Sequence, residues 1–422
     1  MNILMMSNTY IPLVGGVERS ISTFSEAMRS DGHNVLIVTP ELRGQDPNES
    51  GVLRLPSIHR VKDTDFSLNL PLTAEFSNEI REFKPDIVHS HHPFLLGDSA
   101  QRIAARHGIP IVFTYHTIYE QKMHYLDFDT EQSRRFIKRL AVEYANHCDA
   151  VVTPTKSIGE HFRSQGMKTP TEVIPTGIDM KTFGHGDRGH FRKTFNIPED
   201  AFVVSHIGRM VKEKNVDFLT RCVLKFMEQK PDTHYLLVGG GPSLKEIKEQ
   251  VSEAGLSGRV TITGNLDGQD LIDGYHAGDV FGFASHSETQ GLVLLEAMAA
   301  GLPVIGVDAF GTRDFVESEK NGKVIPEDDD GVFADALSWY YQLDDARKKE
   351  MRKNARDCAK SYSIGRCTER MLNLYRRLIQ NTKQQKDHND AWQEFLSRAK
   401  TEWNIMKGLA KAGDAALSEN ES

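Results

Sequence analysis

Val280-Phe-Gly-Phe-Ala-Ser285-His-Ser-Glu288-Thr-Gln-Gly291-Leu-Val-Leu-Leu-Glu296-Ala-Met-Ala-Ala-Gly301-Leu-Pro-Val304 holds a strand, a loop and a helix, and opens a second strand. The apolar run Val280 to Ala284 is short enough for a buried strand. A polar loop, Ser285 to Gly291, follows. Apolar residues then continue from about Leu292 to Ala300, a helical length, and Gly301 supplies a C-terminal stop before the strand Val304 to Val307. Such a unit belongs to a parallel α/β sheet. Two carboxylates are placed unusually within it. Glu288 lies in the loop, close to the helix start, where free backbone N–H groups favour anions. Glu296 interrupts a run of Leu, Val, Ala and Met, a costly position unless the carboxylate has partners or reaches a ligand.

The same rhythm runs outward in both directions. Candidate strands are Asn2–Met6, Asn34–Thr39, Asp86–His89, Ile111–Tyr115, Ala150–Thr153 and Glu172–Ile174 in the first half. In the second half they are Phe202–Ile207, Tyr235–Val238, Val260–Thr263, Val280–Ala284 and Val304–Val307. Amphipathic helices such as Val17–Ser30 and Ser99–His107 lie between them, which indicates parallel α/β architecture twice over. The stretch from Pro175 to about Phe195 is rich in Gly, His and charge, and reads as a hinge. Open α/β sheets bind ligands beyond the carboxyl ends of their strands. Polar clusters recur there: Gly15-Gly16, His89-Ser-His-His92, Tyr115-His-Thr117 and Thr153-Pro-Thr155, then Gly208-Arg209 with Lys214, Gly239-Gly-Gly241, Gly264-Asn265 and Ser285 to Gly291.

At 422 residues the chain has room for two or three domains, and 39% hydrophobic and 26% charged residues are ordinary for a globular protein. A net charge of −8 argues against nucleic-acid binding. Cys148, Cys222, Cys358 and Cys367 show no metal-site spacing. The N-terminus reads as a first strand rather than a signal peptide, and no apolar run approaches membrane-spanning length. These features predict a cytoplasmic protein.

A second motif, Gly208-Arg-Met-Val-Lys-Glu-Lys-Asn215, follows the strand Phe202–Ile207. Arg209 offers a planar fork to phosphate oxygens and Lys214 a point charge. Together with Glu288-x7-Glu296, a pattern that is weak alone, it resembles the signature of retaining GT-B glycosyltransferases of family four. The resemblance covers roughly residues 1 to 380. It implies two Rossmann-like doubly wound α/β domains facing a cleft, with a C-terminal helix crossing back to the first. The expected division is an acceptor domain over 1–180, a nucleotide-sugar domain over 181–361, a crossover helix over 362–380 and a polar helical tail over 381–422.

The resemblance also implies roles. Arg209 and Lys214 would neutralise the leaving diphosphate. Glu296 would bind the donor ribose, and Glu288 would lie beside the donor sugar and the reacting region. Gly291, with Gln290 and Leu292, would present backbone N–H groups to sugar or phosphate. His116 would hydrogen-bond the donor sugar, although by itself a histidine at a strand end is more often a satisfied core residue. Gly15 and Gly16 would approach the phosphates at a helix N-terminus. Gly264 and Asn265 are expected where the base is read, and Glu18 at the acceptor or the phosphates. No metal and no cofactor beyond the UDP-sugar substrate is implied. His89, His91 and His92 lack tetrahedral spacing and are expected to line the acceptor side. Asp63-Thr-Asp65 and Asp127-Phe-Asp129, superficially the metal motif of GT-A transferases, read as loop or helix-cap residues.

The acceptor is read from finer resemblance. His92-Pro-Phe-Leu-Leu-Gly97, Thr114-Tyr-His-Thr-Ile-Tyr-Glu120 with His124-Tyr125, and Glu288-Thr-Gln-Gly291 are similar to a subgroup making glycolipids, including monoglucosyldiacylglycerol synthases. A UDP-glucose or UDP-galactose donor and a diacylglycerol acceptor are therefore expected, with soluble sugar, sugar phosphate, cyclitol and polysaccharide acceptors as the alternative. In Ser133 to Tyr144, Phe136, Ile137, Leu140, Ala141 and Tyr144 share one helical side and Arg135, Lys138 and Arg139 the other. Such a helix can dock on anionic lipid at the inner face of the cell membrane, or simply pack on the sheet. In the tail, Trp392, Phe395, Leu396 and Trp403 are spaced helically, which suits either a surface helix or a partner- or membrane-binding one.

Overall fold

A computed structural model describes all residues except 43, 47–48, 61–66, 70–73, 122–128, 387–399 and 413–422. Asp63-Thr-Asp65, His124-Tyr125, Trp392, Phe395 and Leu396 lie outside the described residues, as do Asp127 and Phe128 of the second acidic triplet. Its third member, Asp129, pairs with Arg134 at 2.7 Å beside the start of the helix Glu131–Asn146.

The chain forms two compact units: residues 1–177 with 364–422, and residues 178–363. In the first, β1 (Asn2–Met6), β2 (Asn34–Pro40), β3 (Val52–Leu55), a small antiparallel pair β4 (Ser57–Arg60) and β5 (Ser67–Asn69), β6 (Ile87–Ser90), β7 (Ile111–Thr114), β8 (Ala150–Thr153) and β9 (Thr171–Val173) succeed one another. The main sheet is parallel, in the order β3-β2-β1-β6-β7-β8-β9. Its inner strands are buried and mostly apolar, as a parallel sheet covered on both faces requires, with His89 and Ser90 of β6 the buried polar exceptions in its middle strand. Ile3 to Met6 and Val151 to Val152 have no exposed surface.

The second unit contains β10 (Phe202–Ile207), β11 (Thr233–Val238), β12 (Val260–Ile262), β13 (Val280–Phe283), β14 (Val304–Val307) and β15 (Gly322–Ile325). They form a parallel sheet in the order β12-β11-β10-β13-β14-β15. Successive residues feed opposite faces, as the two-residue period of a strand requires. Val203, Leu236, Phe281 and Val304 join one buried cluster, while Val204, Leu237, Val280 and Ile305 join the other. Both units are thus Rossmann-like, and in each the strand order reverses once, between β1 and β6 and between β10 and β13. Ligands of this architecture bind at that reversal, outside the carboxyl ends of the strands.

Several elements differ from expectation at their ends. The helix expected at Ser99 begins at Leu96, and the C-terminal helix runs Ile364–Lys386 rather than stopping at Gln380. The chain re-enters the first unit with that helix. The edge strands β3 (Val52–Leu55) and β15 (Gly322–Ile325) lie outside the expected strands; each is only four residues long and interrupted by a charged residue, Arg54 or Lys323. The helix Glu131–Asn146 buries Ala141 and Tyr144 against the sheet, with the Tyr144 hydroxyl donating to Gly97 O at 3.1 Å. Phe136, Ile137 and Leu140 on the same side are only half-buried.

Candidate active site

In the second unit, the loops following β10, β11 and β12 are laid against one another by backbone. Gly208 N donates to Val238 O at 3.0 Å, Met210 N to Gly240 O at 2.8 Å and Gly239 N to Gly264 O at 2.8 Å. Gly239 has a φ of 134°, and a Cβ there would run into the Gly208 carbonyl, so no other residue fits. Met210 is wholly buried and anchors the loop, which leaves the neighbouring Arg209 side chain exposed at the sheet's carboxyl edge. Asn265 lies over Gly240, its Oδ1 at 3.0 Å from where a Cβ would sit. Gly264 and Asn265 are therefore next to the Arg209 loop.

Lys214 ends a short 3-10 turn, Lys212–Lys214, closed by Asn215 at a left-handed φ of 53°, a conformation that Asn tolerates. Side chains tie this turn to the loop after β13. Ser285 and Ser287 donate to Glu213 O at 3.3 and 3.4 Å, and both Asn215 and His286 reach Asp328 at 2.9 Å. The result is an ion pair between Lys214 Nζ and Glu288 Oε1, with side chains only 19% and 16% exposed. The two motifs thus meet through their charged residues. Gly291, at φ 74°, caps the helix Leu292–Ala299 and puts Leu292 in its first turn. Gln290 is buried, and its carbonyl packs against Gly311 in the loop after β14, so closely that a Cβ at Gly311 would overlap it.

Glu296 projects from the helix Leu292–Ala299 into the buried layer and is 2% exposed. The Tyr275 hydroxyl donates to its Oε2 at 2.5 Å. That bond supplies part of the compensation a buried carboxylate needs.

The sequence reading overlooked Tyr275, the serines on Glu213 O, Gly311 and His206. His206 is buried on β10 with Nδ1 at 3.0 Å from Gly282 O, so Nδ1 carries the proton and Nε2 is left as an acceptor. Nε2 has no hydrogen-bond partner among the described residues and lies near Gly208. Burial, in the first place, lowers its pKa to about 4. Only its position two residues before Gly208 could have drawn attention to it.

In the first unit, Gly15 precedes the helix Gly16–Ser30, and the Glu18 carboxylate folds back over Gly15 from the helix's first turn. An anion already occupies that positive helix end. Glu18 is thereby suited to accepting from hydroxyls and would oppose a phosphate at the same spot. The loops after β6 and β7 bring histidines together. His91 Nδ1 and His116 Nε2 are 2.9 Å apart with stacked rings, and His92 Nδ1 accepts from Asn8 N at 3.2 Å. His89 is inside β6 rather than in the loop, bound to Tyr375 at 2.5 Å and Thr114 at 2.6 Å. Burial lowers the pKa of all four, to about 3 for His89 and His92 and well below 6.5 for His91 and His116, where neighbouring imidazoles add to it. They are neutral imidazoles, able to donate and accept hydrogen bonds but not to serve as cations.

This arrangement offers cations for a diphosphate, carboxylates for hydroxyls and backbone N–H groups at a helix start, at the strand reversal where nucleotides bind. The known proteins it matches are consistent with that chemistry. The family profile "Glycosyltransferase Family 4" matches residues 14–182, and "Glycosyl transferases group 1" matches residues 187–358. The alpha-monoglucosyldiacylglycerol synthase of Acholeplasma laidlawii is 29% identical over 76% of this chain and 84% of its own. The D-inositol 3-phosphate glycosyltransferase of Saccharomonospora viridis is 31% identical over 69% of this chain and 70% of its own. Among solved structures, HepE of Anabaena in complex with UDP superposes with a TM-score of 0.72 over 90% of this chain and all of HepE, at 20% identity.

Proposed function

This chain belongs to the GT-B glycosyltransferases of family four, and on that premise we propose that it is a retaining hexosyltransferase using a UDP-sugar, glucose or galactose, with diacylglycerol as acceptor. The observation that carries the reading is the Lys214–Glu288 pair at the strand reversal of the second unit. It sets a cation for the leaving diphosphate beside a carboxylate for the sugar. The lipid acceptor is supported by the similarity to alpha-monoglucosyldiacylglycerol synthase.

In this reading Arg209 and Lys214 stabilise charge developing on the departing diphosphate. Glu296, aligned by Tyr275, takes the ribose hydroxyls. Gly291 and its neighbours offer N–H groups to the sugar or phosphate, Glu288 orients the sugar, and Gly264 and Asn265 border the base. In the first unit, neutral His116 hydrogen-bonds the sugar, Gly15 and Gly16 face the donor, and Glu18 accepts from a hydroxyl. The acceptor hydroxyl forms its bond to the anomeric carbon on the face from which the phosphate leaves. Its proton passes to the leaving phosphate oxygen, so configuration is retained and no strong enzyme base is needed. Rate comes from orientation and charge stabilisation. Similarity to D-inositol 3-phosphate glycosyltransferase favours a cyclitol phosphate as the second acceptor to test.

The test is UDP release from UDP-glucose and UDP-galactose, with GDP-mannose as a competing donor, in the presence and absence of diacylglycerol. Diacylglycerol-dependent release, with an α-linked glycolipid by mass and NMR, is the expected result. Release that depends on inositol phosphate instead would replace the acceptor. A β-linked product would overturn the retaining course.

A further inference from the structure

The helix 400–412 lies on the first unit and turns an apolar stripe to solvent. Its inner side is buried: Ile405 is 9% exposed, Ala412 not at all, and Gly408 passes close to Glu143. Two ion pairs clamp it. Glu402 meets Arg102 of the helix Leu96–His107 in a bidentate pair at 2.7 and 3.2 Å, and Lys411 meets Glu143 of the helix Glu131–Asn146 at 2.9 Å. Its outer side is the unusual one. Trp403 is 63% exposed, Met406 58% and Leu409 45%. Spaced by threes at about 100° per residue, they share an arc of roughly 120°. A soluble surface seldom spends three large apolar side chains on one short arc without a use for them.

The charges beside the stripe select the occupant. The helix carries Lys400, Lys407 and Lys411 against a single acid, Glu402, in a chain whose net charge is −8. The lone acid is already paired with Arg102. The three lysines gather around His147: after burial, their charges are what hold its pKa down, against the pull of Glu143. An apolar stripe edged by lysines on an otherwise acidic protein matches an anionic lipid interface, where indole and thioether enter the headgroup boundary and ammonium groups meet phosphate. A second copy of this acidic chain would lack that complementary charge. No helix among the described residues is long and apolar enough to cross a membrane, so contact of this kind lies in the plane of the surface.

We infer that helix 400–412 is an interfacial anchor, inserting Trp403, Met406 and Leu409 into anionic bilayers and so holding the first unit against the surface in which a diacylglycerol acceptor resides. The inference rests on the lipid-acceptor reading above and adds the place of contact. It also moves that contact from the helix Glu131–Asn146, whose Arg135 and Arg139 are engaged by Glu131 and Glu143, to the helix packed on it.

The test is co-sedimentation of the full chain with phosphatidylglycerol–phosphatidylcholine vesicles and with pure phosphatidylcholine vesicles. The wild type is expected to bind the anionic vesicles, less so as salt rises. W403S/M406S/L409S is expected to lose about tenfold or more in partition, and K400E/K407E several-fold on anionic vesicles only. All five positions are exposed, and circular dichroism with a thermal melt confirms that the variants fold. Wild-type indifference to anionic vesicles, or unchanged partition of the triple variant, overturns the inference. So does a reversible dimer in solution that the triple variant abolishes, since the stripe would then be a protein interface. Turnover on a short-chain, water-soluble diacylglycerol separates the two readings. Its absence in the wild type removes the acceptor assignment, whereas its persistence in a variant that no longer sediments leaves the acceptor assignment standing and locates the anchor.

Discussion

Lys214 and Glu288, 74 residues apart in sequence, form an ion pair at the carboxyl ends of two adjacent strands, β10 and β13. Each charge is compensated by the other. In the proposed reading a bound diphosphate competes with Glu288 for the ammonium, which couples donor binding to reorganisation of this pair. Lys214→Ala and Glu288→Ala are each expected to lower kcat by about 10²-fold. Because the residues share one interaction, the double variant should lose less than the product of the two. Steady-state UDP release from the four proteins measures this, and simple multiplicativity would refute the coupling.

In the proposed reading Tyr275 acts on the donor through Glu296, to which its hydroxyl donates. Tyr275→Phe removes one charge-assisted hydrogen bond, worth about 1.5–3 kcal/mol, while keeping the ring in place. The expected outcome is a weaker nucleotide complex, with Kd for UDP raised about tenfold or more, and a turnover at saturation that changes little. Glu296→Ala should weaken UDP more severely. Calorimetric titration with UDP gives both values, and an unchanged Kd in Tyr275→Phe would remove the hydroxyl from the account.

The buried histidines of the first unit make its stability depend on acid. His89, His91, His92 and His116 have folded-state pKa values below the ordinary 6.5, so the unfolded chain binds more protons than the native one between those values. Their contribution is fully present above pH ~6.5 and is lost progressively as pH falls below it, by up to about 1.4 kcal/mol per pH unit for each histidine. Urea midpoints should be flat from neutral to mildly alkaline pH and fall steadily below 6.5. His92→Asn should flatten that fall by about one proton's worth. A midpoint that holds steady across this window would mean that these imidazoles are not buried neutral.

Two glycines separate crowding from strain. Gly264, at φ 77°, has open space where a Cβ would go, so Gly264→Ala carries only the left-handed backbone penalty of about 1 kcal/mol. Gly239→Ala adds a collision with the Gly208 carbonyl, must displace the loop bearing Arg209, and should cost about 2–4 kcal/mol. Thermal melts order the two. UDP affinity should fall in Gly239→Ala well beyond the loss in Gly264→Ala, and equal affinities would detach that backbone contact from donor binding.

What the sequence determined is local. β1, β8, β10 and β14 coincide with the apolar runs Asn2–Met6, Ala150–Thr153, Phe202–Ile207 and Val304–Val307, and the helix after Gly291 starts and stops where glycines mark it. A buried parallel strand must be apolar on both faces, and a helix end needs a residue that tolerates left-handed backbone, so these features are written into consecutive residues. The alternating α/β architecture and the two motifs, one cationic around Arg209 and Lys214 and one acidic at Glu288 and Glu296, were legible for the same reason. Tertiary structure alone decided who meets whom: Lys214 with Glu288, Tyr275 with Glu296, His89 with Tyr375 across 286 residues, and helix 400–412 with Arg102 and Glu143. It also decided the edge strands β3 and β15, which gain their hydrogen bonds from a neighbour rather than from their own pattern. Periodicity reports how a segment treats water and hydrocarbon. The partner of a charged or polar side chain depends on strand order and on how far each loop reaches, and both are fixed only when the sheet closes around its core.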